Sequence, residues 1–272
     1  MKFTLLPIWG SLLLTFATSA SAHHGQDFFL LDDTRIPAAG HGLALGTFAY
    51  EDQGEDDTLS YSTGVLLGLL PRTALSLQAD FMDEAGAGWE YRSVTPGFHF
   101  DLTPPDLKLP VRFGIAAAYQ FAETPDPAHH EEEPEARGHD GEAGHHEEPE
   151  HEEAGHEHNG IHNHDDSLFI GRFIVEADLT PTTLLVANVI SVLPDGKSAA
   201  WGYGLGLRQK LLPDFSIGVE AVGDFDRHGE HEVIGAVYWE PIPHFIIKAG
   251  VGAGLTSEST DGSFRTGFVW LF

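Results

Sequence analysis

The sequence of 272 residues has a formal net charge of -28, includes 17 histidines and contains no cysteine. Such acidity excludes a nucleic-acid-binding protein that is held by phosphate contacts. The lack of cysteine excludes disulfide frameworks, thiolate metal sites and cysteine nucleophiles, so any metal chemistry must use nitrogen and oxygen ligands.

The first 22 residues have the pattern of a secretory signal peptide. Lys2 supplies a positive start, residues 3–17 are largely apolar, and Ala20-Ser21-Ala22 offers a cleavage site. The apolar run is shorter than the roughly 20 residues that a transmembrane helix needs. We therefore expect an exported chain. Residues 23–41, which include the apolar run Phe28 to Leu31, form either a periplasmic segment or a plug.

From residue 42 onward, apolar residues alternate with small or charged ones in short segments separated by turn residues. We find about twelve such segments, each close to the roughly 9 to 11 residues with which a tilted strand crosses a bilayer. The pattern is clearest in residues 263–272, where the aromatic residues share one face. The predicted strands start near residues 42, 58, 72, 89, 108, 167, 181, 199, 214, 232, 243 and 262.

The connections between these segments differ systematically on the two sides. Even-numbered connections are short and contain proline, whereas odd-numbered ones are polar or acidic and include one very long insert. Outer-membrane barrels show this asymmetry, with short periplasmic turns and longer external loops. For residues 42–272 we predict an all-β protein, an antiparallel transmembrane β-barrel of about 12 strands with a long His/Glu-rich extracellular loop. The alternative is a secreted soluble β-sandwich.

The chain resembles Gram-negative outer-membrane β-barrel proteins of the transporter and porin type. The residues that carry the resemblance are the terminal Phe272 with Trp270, Phe268 and Phe264 at alternate positions. In that family, a final strand ending in an aromatic residue is the signal for the barrel-assembly machinery, which implies that Phe268, Trp270 and Phe272 form this signal. The resemblance also implies a location in the outer membrane and contact with its lipid, but it assigns no substrate.

The insert at residues 122–166 carries 16 Asp and Glu, ten His and one Arg. It is too polar to bury an apolar core, so we expect a disordered external loop. Imidazole and carboxylate are common ligands of Zn, Ni, Cu and Co, which predicts loose binding of these ions. The alternative is a solvated acidic tract in which histidine is tolerated. The predicted metal ligands are His129, His130, His139, His145, His146, His151, His156, His158, His162 and His164.

The predicted inward faces of the strands carry charges of both signs. If the apolar faces contact lipid, these charges nearly cancel, and they form either a solute-selecting pore or a salt-bridge network that fills a narrow barrel. The predicted pore-lining residues are Arg92, Arg112, Arg172, Glu176, Arg208, Glu220, Lys248 and Arg265.

The sequence does not predict an enzyme. The insert contains no His-Glu-x-x-His string, and no G-x-S-x-G motif appears in the chain. We therefore predict a barrel that captures divalent transition metals on its external loop and can deliver them to a pore. The alternative function is a general or hydrophobic-solute outer-membrane channel with an incidental acidic loop. The expected partners are lipid, the assembly machinery and metal ions or small solutes, with no nucleic acid.

Overall fold

The structure is a computed structural model that describes residues 28–52, 57–84, 86, 88–104, 109–122, 167–226 and 229–272. Twelve β-strands are present in these ranges. No helix in the described part of the chain is long and apolar enough to cross a membrane. The strands are β1 Gly42–Asp52, β2 Thr58–Leu70, β3 Thr73–Glu84, β4 Glu90–Asp101, β5 Val111–Ala122, β6 Leu168–Thr180, β7 Thr183–Pro194, β8 Ala200–Leu212, β9 Phe215–Asp224, β10 His231–Ile242, β11 Phe245–Gly254 and β12 Gly262–Leu271.

The strands form one closed antiparallel barrel. Each strand pairs with its neighbours in the chain, and β1 pairs with β12 from Leu43↔Leu271 to Asp52↔Gly262. Beyond this register, Gly42 and Phe272 exchange two backbone hydrogen bonds of 2.9 Å. Closure leaves no strand edge unpaired. The predicted transmembrane-type barrel is confirmed, and the soluble sandwich is not observed. The predicted loop at residues 122–166 lies, apart from Ala122, outside the described residues.

The predicted strand starts are close to the observed ones. The largest difference is at β5, which begins at Val111 rather than residue 108. On the proline-containing side, four connections consist of two residues each, at 71–72, 181–182, 213–214 and 243–244. Arg72 and His244 have positive φ values of 71° and 72°. Each follows a proline, as expected for a type II turn. The β4–β5 connection, residues 102–110, is longer than the other turns on this side.

The two faces of the barrel differ in chemistry. On β9, Ile217 and Val219 are exposed to the outside, whereas Glu220 and Val222 are buried towards the lumen. The same alternation follows β8, where Leu205 and Leu207 point outward and Gly204 and Gly206 point inward. A closed barrel with an apolar outer band and a polar interior is suited to a lipid environment.

Candidate functional site

The lumen contains part of the chain itself. Residues 28–37, here called the inner segment, precede β1 and contact side chains that point inward from the barrel wall. Phe28 and Leu31 are buried in a cluster with Ile174, Val186 and other wall residues. The lumen is therefore partly filled by an irregular piece of backbone, whose polar groups need partners from the wall.

Glu220 of β9 supplies one set of partners. Its carboxylate accepts hydrogen bonds from the backbone N–H of Phe29, at 2.9 and 3.0 Å, and from that of Leu30, at 2.9 Å. The hydroxyl of Tyr238 donates to the same carboxylate at 2.8 Å. Glu220 is 0% exposed. Because removing a carboxylate from water costs several kcal/mol, these donors are what make its burial tolerable.

Glu176 of β6 supplies a second set. It accepts hydrogen bonds from the N–H and hydroxyl of Thr34, at 3.0 and 2.7 Å, and from Nε of Arg35 at 2.6 Å. Arg112 of β5 also donates to this carboxylate. Asp178, next along the inward face, pairs with both arginines at 3.2 and 3.0 Å. Two cations therefore surround a carboxylate that is 0% exposed.

Two further wall residues hold the backbone of the inner segment. Asn188 of β7 accepts from the N–H of Asp32 at 3.0 Å, and its amide donates to the Asp32 carbonyl at 2.9 Å. Lys248 of β11 donates to the carbonyl of Phe28 at 2.6 Å, and its Nζ lies 5.1 Å from the centre of the Phe29 ring. The polar anchors of the inner segment thus come from β6, β7, β9 and β11.

Glycines on β8 provide the space for this arrangement. A Cβ atom built on Gly204 would lie 2.2 Å from Cδ2 of Leu31, and one on Gly206 would lie 2.5 Å from Cδ1 of Leu31 and 2.7 Å from Phe28. No real side chain tolerates such contacts without displacing its neighbour. The wall at β8 is therefore shaped to receive the inner segment.

A cavity of about 130 Å³ remains beside the inner segment. Arg172 of β6 reaches across its edge to Asp32, with 2.6 Å between Nη1 and Oδ2. The cavity is bounded mainly by strands β1 to β6. The lining residues whose side chains face it are Asp32, Leu45, Leu66, Ser76, Gln78, Thr95, His99, Ala116, Ala118, Gln120, Ile170 and Arg172.

The eight predicted pore-lining residues do not form one site. Glu176 with Arg112, and Glu220 with Lys248, belong to the contacts that hold the inner segment, while Arg172 borders the cavity. Whether any of the eight affects conduction stays a prediction.

The remaining three occupy different positions. Arg208 is buried beside Tyr238, with 5.7 Å between its guanidinium carbon and the ring centre. Arg265 pairs with Glu51 and Glu232 at 2.7 and 3.0 Å. Arg92 lies where the β3–β4 register shifts, between residues that pair with Asp80 and Phe81.

The other predicted sites are not tested by the structure. All ten histidines of the predicted metal site lie outside the described residues. Within the described ranges, no group of three or more His, Cys, Asp or Glu side chains could hold a metal ion. Phe264, Trp270 and Phe272 are exposed on the outer side, where Phe268 follows the same alternation on β12. Recognition by the assembly machinery stays a prediction.

Sequence reasoning missed several residues of the lumen, namely Asp32, Thr34, Arg35, Asn188 and Tyr238. Asn188 carried a usable signal, because it is the one amide among the apolar inward residues of β7. The residues of the inner segment carried no periodic signal, since they form no strand or helix.

Comparisons of the sequence find no matching family model and no matching curated protein. Comparisons of the fold do find similar solved structures. An outer-membrane channel from Pseudomonas putida F1 has a TM-score of 0.58 and 9% identity, covering 90% of this chain and 100% of that one. The NanC porin has a TM-score of 0.54 and 7% identity, with coverage of 84% and 98%. A KdgM porin in complex with disordered oligogalacturonate has a TM-score of 0.51 and 8% identity, with coverage of 83% and 98%. The chain therefore has a porin-like outer-membrane barrel fold.

Proposed function

We propose that the protein is an outer-membrane channel for small polar solutes, which pass between the inner segment and the wall formed by β2 to β6. The observation that carries this proposal is the cavity of about 130 Å³ that the inner segment leaves open against β1 to β6. Most polar anchors of the inner segment come from other strands, β7, β9 and β11, and the rest come from β6. This is the general-channel alternative of the sequence analysis rather than metal capture.

The chemistry of the cavity wall suits hydrated or polar solutes. Ser76, Gln78, Thr95 and Gln120 place hydroxyl and amide groups along it. Such groups can replace hydrogen bonds that a solute loses when it leaves water. Because the inner segment occupies part of the cross-section, the path is expected to admit only small solutes.

The fold comparisons support this proposal at the level of architecture. The similar structures include a channel and two porins, one of which is in complex with oligogalacturonate. With identities of 7 to 9%, they supply no argument about the solute of this protein. We further propose that the chain is exported by its signal peptide and inserted into the outer membrane by the barrel-assembly machinery.

Liposome swelling tests the channel proposal. Vesicles containing the folded protein should swell in glycerol, more slowly in glucose and scarcely in raffinose. Vesicles with an equal amount of heat-denatured protein supply the control. Failure of all three solutes to enter faster than in the control would overturn the proposal.

Metal binding by residues 122–166 is a separate proposal, supported only by the histidine and carboxylate content of that segment. It does not depend on the channel. A chain that binds metal without conducting, or conducts without binding metal, would separate the two.

A further inference from the structure

Charge is distributed unevenly around the cavity beside the inner segment. The two basic side chains that line it, His99 and Arg172, belong to the barrel wall, whereas the acidic one, Asp32, belongs to the inner segment. Arg172 and Asp32 are in contact, with 2.6 Å between Nη1 and Oδ2. The carboxylate of Asp32 therefore occupies the site next to Arg172 at which an anionic ligand would bind.

The strand register places His99 and Arg172 on the same side of the cavity. His99 of β4 pairs with Ala116 of β5, which in turn pairs with Arg172 of β6. Two strand spacings separate the two basic residues, which is roughly 10 Å. Ala116, which lies between them, has only a methyl side chain, so it leaves open the space in front of His99 and Arg172.

His99 has the character of a binding residue rather than of a packing residue. It is 8% exposed, and its Nδ1 has no hydrogen-bond partner among the described residues. Buried polar atoms are normally paired, and those that are not call for an explanation. Nδ1 itself is buried, so a ligand in the cavity would meet the part of the His99 ring that lines it.

Part of the remaining lining is suited to the hydrocarbon part of a small molecule. Leu45, Leu66, Ala118 and Ile170 contribute apolar surface. The volume of about 130 Å³ corresponds to a few water molecules at roughly 30 Å³ each. The cavity therefore favours a molecule with one charged end and a short apolar body.

We propose that Arg172 and His99 form a binding site in the lumen for a small organic monocarboxylate, whose carboxylate takes the position of Asp32. This inference rests on the proposed channel function, since the ligand is the solute in transit. An arginine can hold a carboxylate through two parallel hydrogen bonds. Because the ligand replaces Asp32 at Arg172, its binding removes one of the contacts that hold the inner segment. Entry of the solute and loosening of the inner segment are thereby linked.

Equilibrium binding of butyrate to the folded full chain in detergent, measured by titration calorimetry at neutral pH, tests the proposal. Butyramide, which has the same shape without the charge, is the matched ligand control. Asp32→Asn removes the competing carboxylate and should strengthen butyrate binding about tenfold, a change of about 1.4 kcal/mol. Arg172→Gln should abolish butyrate binding, and His99→Gln should weaken it. Butyramide should bind to none of these proteins.

Each outcome decides the proposal. Equal binding of butyramide and butyrate, or unchanged butyrate affinity in Asp32→Asn, would overturn it. The heat-dependent shift in gel mobility checks that each variant is folded, and Asp32→Asn keeps the test valid if Arg172→Gln fails to fold. Butyrate binding is measured in detergent, independently of transport across a membrane. If the protein binds butyrate but liposomes containing it do not swell, the proposed channel is rejected and the proposed binding site stands.

Discussion

Arg35 of the inner segment lies 2.6 Å from Glu176 of β6, measured between Nε and Oε1. The pair joins the irregular backbone inside the lumen to the wall of the barrel, and Glu176 is 0% exposed. Separating a buried pair by removing one partner costs about 3–5 kcal/mol. The inner segment is therefore anchored to the wall of the folded barrel, and moving Arg35 away from the wall must break this pair.

Glu220→Gln should loosen the inner segment. In the unmodified protein, the N–H groups of Phe29 and Leu30 donate to the Glu220 carboxylate. The glutamine amide keeps one acceptor oxygen but turns an NH₂ group, which is itself a donor, towards these N–H groups. We expect a loss of about 1.5–3 kcal/mol in the free energy of unfolding, the usual contribution of hydrogen bonds to a charged group, together with a larger and noisier conductance in planar bilayers. Glu240→Gln is the control, because the Glu240 carboxylate accepts an exposed hydrogen bond from the N–H of His244 at 3.0 Å. Equal conductance in both variants would contradict the account.

Gly206→Ala should displace the inner segment by steric contact. The added methyl group would lie 2.5 Å from Leu31 and 2.7 Å from Phe28. Overpacking of this kind costs about 1–3 kcal/mol, so we expect a lower melting temperature and faster entry of glucose into liposomes. Gly235→Ala is the matched control, since a methyl group there meets no atom within 4 Å. Identical melting temperatures for the two variants would show that the inner segment does not contact β8.

The position of the strands could be predicted because one physical rule governs them. A strand with lipid on one side and the lumen on the other must alternate between apolar and polar or small residues, and segments such as 215–221 and 263–268 do so. β5 begins later than predicted because the apolar-polar alternation of the sequence already starts at Leu107, whereas Leu109 and Pro110 are not part of the strand.

The contents of the lumen could be predicted only in part. Alternation identified Glu176 and Glu220 as inward residues, but their partners lie 142 and 191 positions away in the chain. The segment that contains those partners has no period, so its path could not be derived. The inward-facing Gly204 and Gly206 were the best available sign that a segment fills the lumen, because they leave space that another part of the chain can occupy.

A charge on the outer face should oppose insertion into lipid. Val219 of β9 is 45% exposed and lies on the outward side. Val219→Lys should reduce the free energy of folding into liposomes by about 2–4 kcal/mol, if the residue lies near the bilayer midplane. Urea titration of tryptophan fluorescence measures this loss. Ser257→Lys, in the exposed β11–β12 connection, should leave the free energy unchanged, and an equal loss in both variants would contradict a lipid-facing β9.

Phe272→Ala should reduce assembly in the membrane more than stability in detergent. The ring of Phe272 is half exposed, lies 5.9 Å from that of Trp270 and packs over Gly42, to which the backbone of Phe272 is hydrogen-bonded. Since Phe272→Ala removes only a half-exposed ring and keeps the backbone hydrogen bonds, we expect less folded protein in outer-membrane fractions, measured by the heat-dependent gel shift, with only a small change in the melting temperature of the purified barrel. Phe264→Ala, a change of the same type at the other end of β12, is the control. Normal assembly of Phe272→Ala would show that the terminal aromatic residue is not the signal.

Removal of residues 123–166 should abolish binding of Zn, Ni or Cu by the full chain. Imidazole nitrogens must be unprotonated to bind metal, so binding by the intact chain should weaken below about pH 6. Metal content after dialysis measures both effects, and the heat-dependent gel shift shows that the shortened chain is folded. Equal metal content with and without this segment would contradict the metal-binding prediction.

The central claim, that the barrel is a channel narrowed by its own inner segment, is tested most directly by single-channel conductance in planar bilayers. The intact chain and a chain that lacks residues 28–37 are compared, with the Glu220→Gln variant as a second way to free the lumen if the deletion fails to fold. The account predicts small steps for the intact protein and steps several times larger once the inner segment is removed or released. Absence of discrete conductance in all three proteins, each folded by the gel-shift criterion, would contradict it.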